Sequence, residues 1–454
     1  MKLWKILAIV VTLTLIYAPL SFGAVSPEEA KKLGTTLTGL GAEMAGNKDG
    51  TIPAYTGGLT KAPANFKPGS GVRPDPFESE KPLFSINAQN IAQYADKLTD
   101  GTKALMKRFP SYRVDVYKTH RTVAFHDYII KRTAENAVKA KTYNGGLSIK
   151  DFVYAGYPFP IPKDGYEAMW NHQLRYYGRS NEVKYTSWLM DANAKLLLLE
   201  LCTLWEELPF YDEDPSRYDR NQSYQVRNVW LGPARKAGEA AYYTDPINIY
   251  EKPRVAYLYL PGQRRVKLAP EIGFDNPNGG TAGNNVYDEV WIFNGSLERY
   301  DWKLLGKKEV YVPYNCYRAV YGAKKEDVYA AKHLNPDAIR WELHRVWVIE
   351  ATLKPGKRHI YAKRIMYLDE DSWAALAGEN YDARGQLYTV NFVHQAPLYD
   401  FGGTPSTHFT STYNIPGGTY IGNVWLGEGG YSRQVKVAPE RDWGPNAMIR
   451  LSIR

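Results

Sequence analysis

The chain has 454 residues, 44% hydrophobic and 23% charged, enough for a large core in one big domain or two. Its 36 tyrosines and 12 tryptophans, with 38 glycines and 28 prolines, favour strands and turns and argue against a helical bundle. The formal net charge of +9 suits an anionic membrane surface or an acidic ligand, and equally an ordinary solvated basic surface.

At the N-terminus Lys2 and Lys5 precede an apolar run from Ile6 to Tyr17, and the small residues Ser21 and Gly23 follow. This pattern predicts a secretory signal peptide over residues 1–23, cleaved after Gly23. The run is shorter than the ~20 residues of a spanning helix. No cysteine sits at the cleavage point, so it is not a lipoprotein signal. No later stretch is long and apolar enough to span: "LLLLELCTLW" (196–205) is short and contains Glu200. The closing "MIRLSIR" lacks the terminal aromatic of an outer-membrane barrel strand. The mature chain is therefore expected to be soluble in an exported compartment, the periplasm of a Gram-negative cell. Export argues against nucleic acid as a partner. It also permits a disulfide between Cys202 and Cys316, the two cysteines; two separate buried thiols are the alternative.

Residues 24–110 read as an N-terminal segment. Ser26 as cap and Pro27 at the first position predict a helix over 24–48. Residues 47–82 are dense in Gly and Pro, without periodicity, and read as an extended arm. A helix is expected over 87–109, with Ile91, Tyr94 and Leu98 on one face and Gly101 as a point of division. Residues 111–454 read as one mainly β domain. "SYRVDVYKTHRTVAF" (111–125) alternates like a strand. "GYEAMWNHQLRYYG" (165–178) predicts an amphipathic helix. Residues 182–208 read as two strands joined at Asp191–Ala194. Hairpins are expected at 254–269, turning at Pro261-Gly262, and at 346–368, turning at Pro355-Gly356, both with the type II signature. "NVWLG" occurs twice, at 228–232 and 423–427. "LDEDSWAALAG" (368–378) predicts a short helix capped by Asp369 or Asp371. The preceding strand is unusual: Ile360, Ala362, Met366 and Leu368 share one face, while His359, Tyr361, Lys363, Ile365 and Tyr367 make a second face that is not polar either.

Chemistry-bearing motifs are few. The eight histidines include no H-E-x-x-H, and G-x-S-x-G, G-x-G-x-x-G and the phosphate loop do not occur. The Gly-rich pieces 276–285 and 400–408 read as loops. Asp212-Glu213-Asp214 and Asp369-Glu370-Asp371 offer oxygen ligands for a hard cation, but at no known spacing; helix caps and solvated turns account for them as well. No catalytic residue, metal or cofactor is expected, and the chain is read as a non-enzyme.

Four stretches carry a resemblance: "GYPFPIPKDGYEAMWNH", "YLPGQRRVKLAPE", "YDEVWIFNGSLERYDWKLLGKKEVYVPYN" and "KPGKRHIYAKRIMYLDEDSW". Together they resemble the domain-of-unknown-function 1329 family, grouped with the periplasmic lipoprotein carriers LolA and LolB, over roughly 30–454. The resemblance implies a strongly curved antiparallel sheet forming an open, unclosed barrel covered by helices, with a cavity for acyl chains. It also implies association with an export system of the resistance-nodulation-division type and an outer-membrane partner. No catalytic residues carry over.

On that basis the chain is expected to be a periplasmic carrier or chaperone for a lipid or another hydrophobic molecule. Strand position nominates Trp230, Tyr257, Tyr259, Trp291, Phe293, Trp347, Tyr361, Ile365 and Tyr367 as cavity lining. Arg264, Arg265, Lys357 and Arg358, beside the hairpin turns, are candidates for an acidic headgroup or membrane contact, or are solvated turn charges. Two rivals stand beside this: a non-catalytic accessory subunit docking a transporter or outer-membrane protein, and an envelope glycan or lipid hydrolase using paired carboxylates.

Overall fold

The computed structural model describes residues 24–214 and 221–452; the predicted signal peptide lies outside the described residues. The first strands are β1 (Phe84–Ile86), β2 (Val114–Val116), β3 (Lys141–Tyr143), β4 (Ser148–Lys150), β5 (Ser180–Met190) and β6 (Leu196–Glu207). Next come β7 (Gln222–Gly232), β8 (Ala240–Pro246), β9 (Val255–Leu260), β10 (Arg265–Leu268), β11 (Tyr300–Pro313) and β12 (Trp341–Leu353). The last are β13 (Lys363–Asp369), β14 (Ala375–Tyr381), β15 (Leu387–Val393), β16 (Thr410–Asn414), β17 (Thr419–Trp425) and β18 (Tyr431–Gln434). The helices are α1 (Pro27–Ala30), α2 (Asp100–Arg108), α3 (Asp127–Lys139), α4 (Gly165–Gln173), α5 (Lys325–Val328) and α6 (Pro445–Ser452).

One 16-stranded sheet dominates, in the order β1-β2-β12-β13-β14-β15-β16-β17-β5-β6-β7-β8-β9-β10, with β11 added beside β12 and β18 beside β5. Its pairing is antiparallel apart from the parallel bridge Val116–Trp341, and its path runs between two ends, so it does not close into a barrel. The β5–β6 hairpin forms where expected: Asp191 Oδ1 accepts from the amides of Asn193 and Lys195, both at 2.8 Å, and Ala194 takes the left-handed conformation. The 346–368 hairpin turns at Pro355-Gly356 with Gly356 at φ +79°, as a type II turn requires. The 47–82 arm crosses the surface without regular elements and is pinned by Arg73, whose buried guanidinium holds Asp400 at 2.6 Å and the Ser432 carbonyl at 2.9 Å.

Several local expectations fail, each for a tertiary or local reason. Ser26 caps a helix, accepting from Glu29 N at 3.1 Å, but that helix ends at Ala30 because the Gly- and Thr-rich sequence beyond it has low helix propensity. The 87–109 segment divides at Leu98–Thr99, where Thr99 caps α2, and not at Gly101. Gly101 serves packing: a Cβ there would lie 2.6 Å from Val390 Cγ1 on β15. In 111–125 only Val114–Val116 is strand. The helix in 165–178 is not amphipathic, since α4 runs through the core with Glu167, Met169, Trp170, Asn171 and His172 buried. Its polar groups bond inward: the His172 ring, kept neutral by burial, donates from Nε2 to the Phe293 carbonyl (3.0 Å) and accepts at Nδ1 from the Ala375 amide (3.2 Å). At 368–378 no helix forms. Asp369 ends β13, a tight turn puts Trp373 at φ +61°, and β14 pairs back, because cross-strand hydrogen bonds override local propensity. The 254–269 hairpin exists, but Pro261–Gln263 form a 3₁₀ turn with Arg264, not Gly262, left-handed.

The disulfide is also corrected. Cys202 lies inside β6 and donates to the Thr203 carbonyl, whereas Cys316 donates to the Arg340 carbonyl at 3.3 Å; both are free and buried. Burial pushes both thiols well above their ordinary range.

Candidate functional site

The two faces of the β5–β9 region are covered differently. On one, α6 closes over Val229, Tyr242 and Tyr259 with Met448, and Tyr257, Trp205 and Trp443 complete the cluster. On the other, the segment 271–294 forms a roof that meets the sheet at its margins, where Ile272 and Tyr287 pack with Tyr243, Ala256 and Leu258. A chamber of about 190 Å³ remains between them. Its sheet side is made by Tyr185, Leu204, Val226, Trp230, Ala241, Tyr243 and Leu258, and its roof by Ile272, Tyr287, Val290 and Trp291. A smaller chamber of about 40 Å³ adjoins it, sharing Tyr224, Trp291 and Asn294 and bordered by Arg175, Tyr177 and Phe293.

Trp291 is the partition. It is held between Tyr177 (ring centroids 5.5 Å apart) and Tyr224 (5.8 Å, near perpendicular). Trp291 and Ile292 are both left-handed, at φ +54° and +74°, a strain of roughly 1–3 kcal/mol each that the surroundings must impose. The adjacent Asp288 and Glu289 impose it. Asp288 binds Arg364 (3.1 Å) and His359 (2.9 Å). Glu289 accepts from Tyr361 (2.9 Å), Thr389 (2.9 Å), Asn391 (3.0 Å) and Asn380 (3.1 Å). Burial works to raise the Asp288 carboxyl, yet Arg364 and His359 hold it below the usual range.

At the other end of the roof, Glu200 lies buried on the chamber wall. It accepts from Trp230 Nε1 and Ser187 Oγ, both at 3.2 Å. A Cβ on Gly280 would sit 2.0 Å from Glu200 Oε1, so a larger residue there would displace the Glu200 carboxylate. Lys236 crosses the rim, with Nζ 4.6 Å from the Trp230 ring centroid and 2.8 Å from the Gly279 carbonyl it donates to. The wall stays uncharged where it is aromatic: burial raises the phenols of Tyr185 and Tyr224 well above their ordinary range and pushes Tyr243 up to about 12.

Of the nominated lining residues, the structure brings Trp230 and Trp291 into the larger chamber and Phe293 into the smaller. The others lie elsewhere. Tyr257 and Tyr259 face α6, and their neighbour Leu258 lines the chamber instead, because adjacent strand residues point to opposite faces. Trp347 stacks on Trp373 at 5.9 Å. Tyr361 precedes β13 and anchors the roof through Glu289; Ile365 packs against the main core; Tyr367 bonds Glu379 at 3.4 Å. The second apolar face of 359–367 thus meets protein, not a cavity. Arg264, Arg265, Lys357 and Arg358 are exposed at the hairpin turns and line neither chamber. Arg175, Glu200 and Lys236 were not nominated. Arg175 has no local signal of burial, since it lies within the stretch 165–178 that reads as an amphipathic helix, where an arginine belongs on the solvated face.

Among the described residues, His344, Asp369 and Asp371 bring potential metal-ligand atoms within 4.8 Å of one another. Protein groups already engage them. Arg121 forks onto Asp371 (2.6 and 2.9 Å), Tyr314 and Ser372 bind Asp369 Oδ2, and His344 binds Glu342. A more open and polar cleft of about 740 Å³ lies between the arm and residues 317–340; Arg340 fills part of it, sandwiched between Phe77 and Tyr117. No helix among the described residues is long and apolar enough to cross a membrane.

An unclosed, mostly antiparallel sheet carrying a roofed apolar chamber defines the class: an open-sheet β protein with an internal cavity. The chain belongs to the family described as "Protein of unknown function (DUF1329)", whose model matches residues 85–449. It is 40% identical to the uncharacterized protein PA3922 of Pseudomonas aeruginosa over 465 residues, covering 100% of both chains. Among solved structures it is similar to an outer membrane lipoprotein-sorting protein domain of Vibrio parahaemolyticus (17% identity, TM-score 0.43, 63% of this chain and 97% of that one). It is also similar to a family member from Desulfovibrio piger (14%, 0.40, 60% and 92%) and to a LolA superfamily protein of Nitrosomonas europaea (10%, 0.37, 63% and 100%). These likenesses concern the arrangement of strands and carry nothing about what this chain binds.

Proposed function

We propose that the protein is a periplasmic carrier that reversibly buries a hydrophobic molecule in the chamber between β5–β9 and the 271–294 roof. The observation that carries this reading is the chamber itself: about 190 Å³ walled mainly by aromatic and aliphatic side chains, whereas the larger cleft beside residues 317–340 is open and polar. Drug-sized sites span roughly 300–1,000 Å³, so the chamber takes a ring or the end of a chain, and a longer cargo requires the Gly-rich 278–285 part of the roof to lift. Each buried methylene contributes about 0.8 kcal/mol, so a partly buried chain is held moderately and can be released. The signal-like N-terminus supports the periplasmic setting. An export system of the resistance-nodulation-division type and an outer-membrane protein are the partners proposed with this reading.

Fluorescence titration with the uncharged apolar dye N-phenyl-1-naphthylamine tests it. Saturable binding at about one dye per chain, lost in Ala241→Phe, which fills the chamber from β8, is the expected outcome. Binding that survives Ala241→Phe, or no saturable binding, contradicts the reading.

A further inference from the structure

We propose that Arg175 makes the smaller chamber an oxyanion pole, so that the molecule carried is an amphiphile ending in a carboxylate, its apolar part in the larger chamber. This rests on the carrier reading and specifies its ligand. Arg175 is 4% exposed, and only Nη1 of its guanidinium has a hydrogen-bond partner, the His172 carbonyl at 2.7 Å. Nε and Nη2 are buried without an acceptor. Among the described residues no carboxylate forms an ion pair with Arg175. Asp245, which borders the same chamber, is taken by Arg254 at 2.6 and 2.7 Å, and Glu206 is engaged by His408, Asn181 and Tyr224. The guanidinium faces the rings of Trp291 (4.8 Å) and Tyr177 (5.4 Å), which attract a cation but accept no strong hydrogen bond.

A buried cation with two free donors is costly unless an anion completes it. Nε and Nη2 lie on one edge of the guanidinium, the edge that meets both oxygens of a carboxylate in two parallel hydrogen bonds. The chamber beside it, about 40 Å³, is sized for a group of a few atoms, and it shares Tyr224, Trp291 and Asn294 with the apolar one, so an alkyl chain passes from one to the other when the Trp291 side chain turns aside. A carboxylate with an alkyl chain matches both volumes and both chemistries at once.

Calorimetric titration of the full mature chain with decanoate, decanol, decyl phosphate and acetate separates the possibilities. The expected result is decanoate binding roughly 10- to 100-fold tighter than decanol, the worth of a charge-assisted pair, with acetate alone weaker than either. In Arg175→Met decanoate falls to the level of decanol while decanol is unchanged; Arg175→Lys keeps a cation without the two-donor edge and retains part of the preference. Equal binding of decanoate and decanol by the wild type overturns the anion pole and leaves the carrier reading standing. Preference for decyl phosphate, or for acetate without a chain, overturns the carboxylate amphiphile as the ligand. Binding of none of the four overturns both readings. The wild-type comparison decides even if a variant does not fold.

Discussion

The β12–β15 and β5–β9 regions belong to one sheet, yet they treat the space over it in opposite ways. Over β12–β15 the space is full. Ile292 and Phe293 fill it with α4, and the buried arginines there are paired: Arg364 with Asp288, Arg345 with Glu370, Arg121 with Asp371. Over β5–β9 a chamber remains, and Arg175, on the smaller chamber beside it, has no carboxylate partner among the described residues. Paired charges in a packed region specify structure. An unpaired charge beside an apolar void is a cost to stability that a ligand can remove.

The largest effect should come from removing one cation in each region. Arg364→Met leaves the buried Asp288 carboxylate with His359 alone and should cost roughly 3–5 kcal/mol by urea unfolding. Arg175→Met leaves no charge unpaired, and the His172 carbonyl it releases keeps the backbone donors of Leu174 and Arg175, so stability should be unchanged within about 1 kcal/mol or rise. Equal losses would erase the distinction between the regions. A phenylalanine inserted in each gives the next contrast. Ala377→Phe overpacks β14 and should cost about 1–3 kcal/mol, while Ala241→Phe grows into the chamber and should cost less than about 1 kcal/mol, as read from thermal unfolding.

A pH test sharpens the picture of the filled region. Burial, and then Asp371 beside it, pushes the Asp369 carboxyl up to about 6. The unfolded value is near 3.9, so the folded state keeps this proton longer. That contribution to stability is fully present below pH ~4 and is lost as pH rises through about 6. Wild-type Tm should therefore fall relative to Asp369→Asn between pH 4.5 and 7. The smallest effect belongs to the rim: Lys236→Met removes the contact to Gly279 and should speed dye release roughly two- to fivefold in stopped flow.

What the sequence made legible was chemistry written locally. Asp191 announced the β5–β6 turn, Gly356 its type II hairpin, and the glycines of 276–285 a loop that proves to be part of the roof. What it hid was parity and burial. In "VAYLYL" aromatic and aliphatic residues fill both faces, so alternation does not say that Leu258 and not Tyr257 meets the chamber. "LDEDSWAALAG" has helix caps and helix formers, and only its pairing with distant residues makes it a strand. Arg175 is an ordinary charged residue until tertiary structure buries it among Tyr177, Trp291 and Tyr224.

The most direct measurement is native mass spectrometry of the protein purified from its own cells, followed by solvent extraction. The account predicts a discrete added mass, displaced by excess decanoate, that extracts as an apolar molecule with a carboxylate. A clean unliganded mass, with no uptake of decanoate or of the uncharged dye, would contradict it.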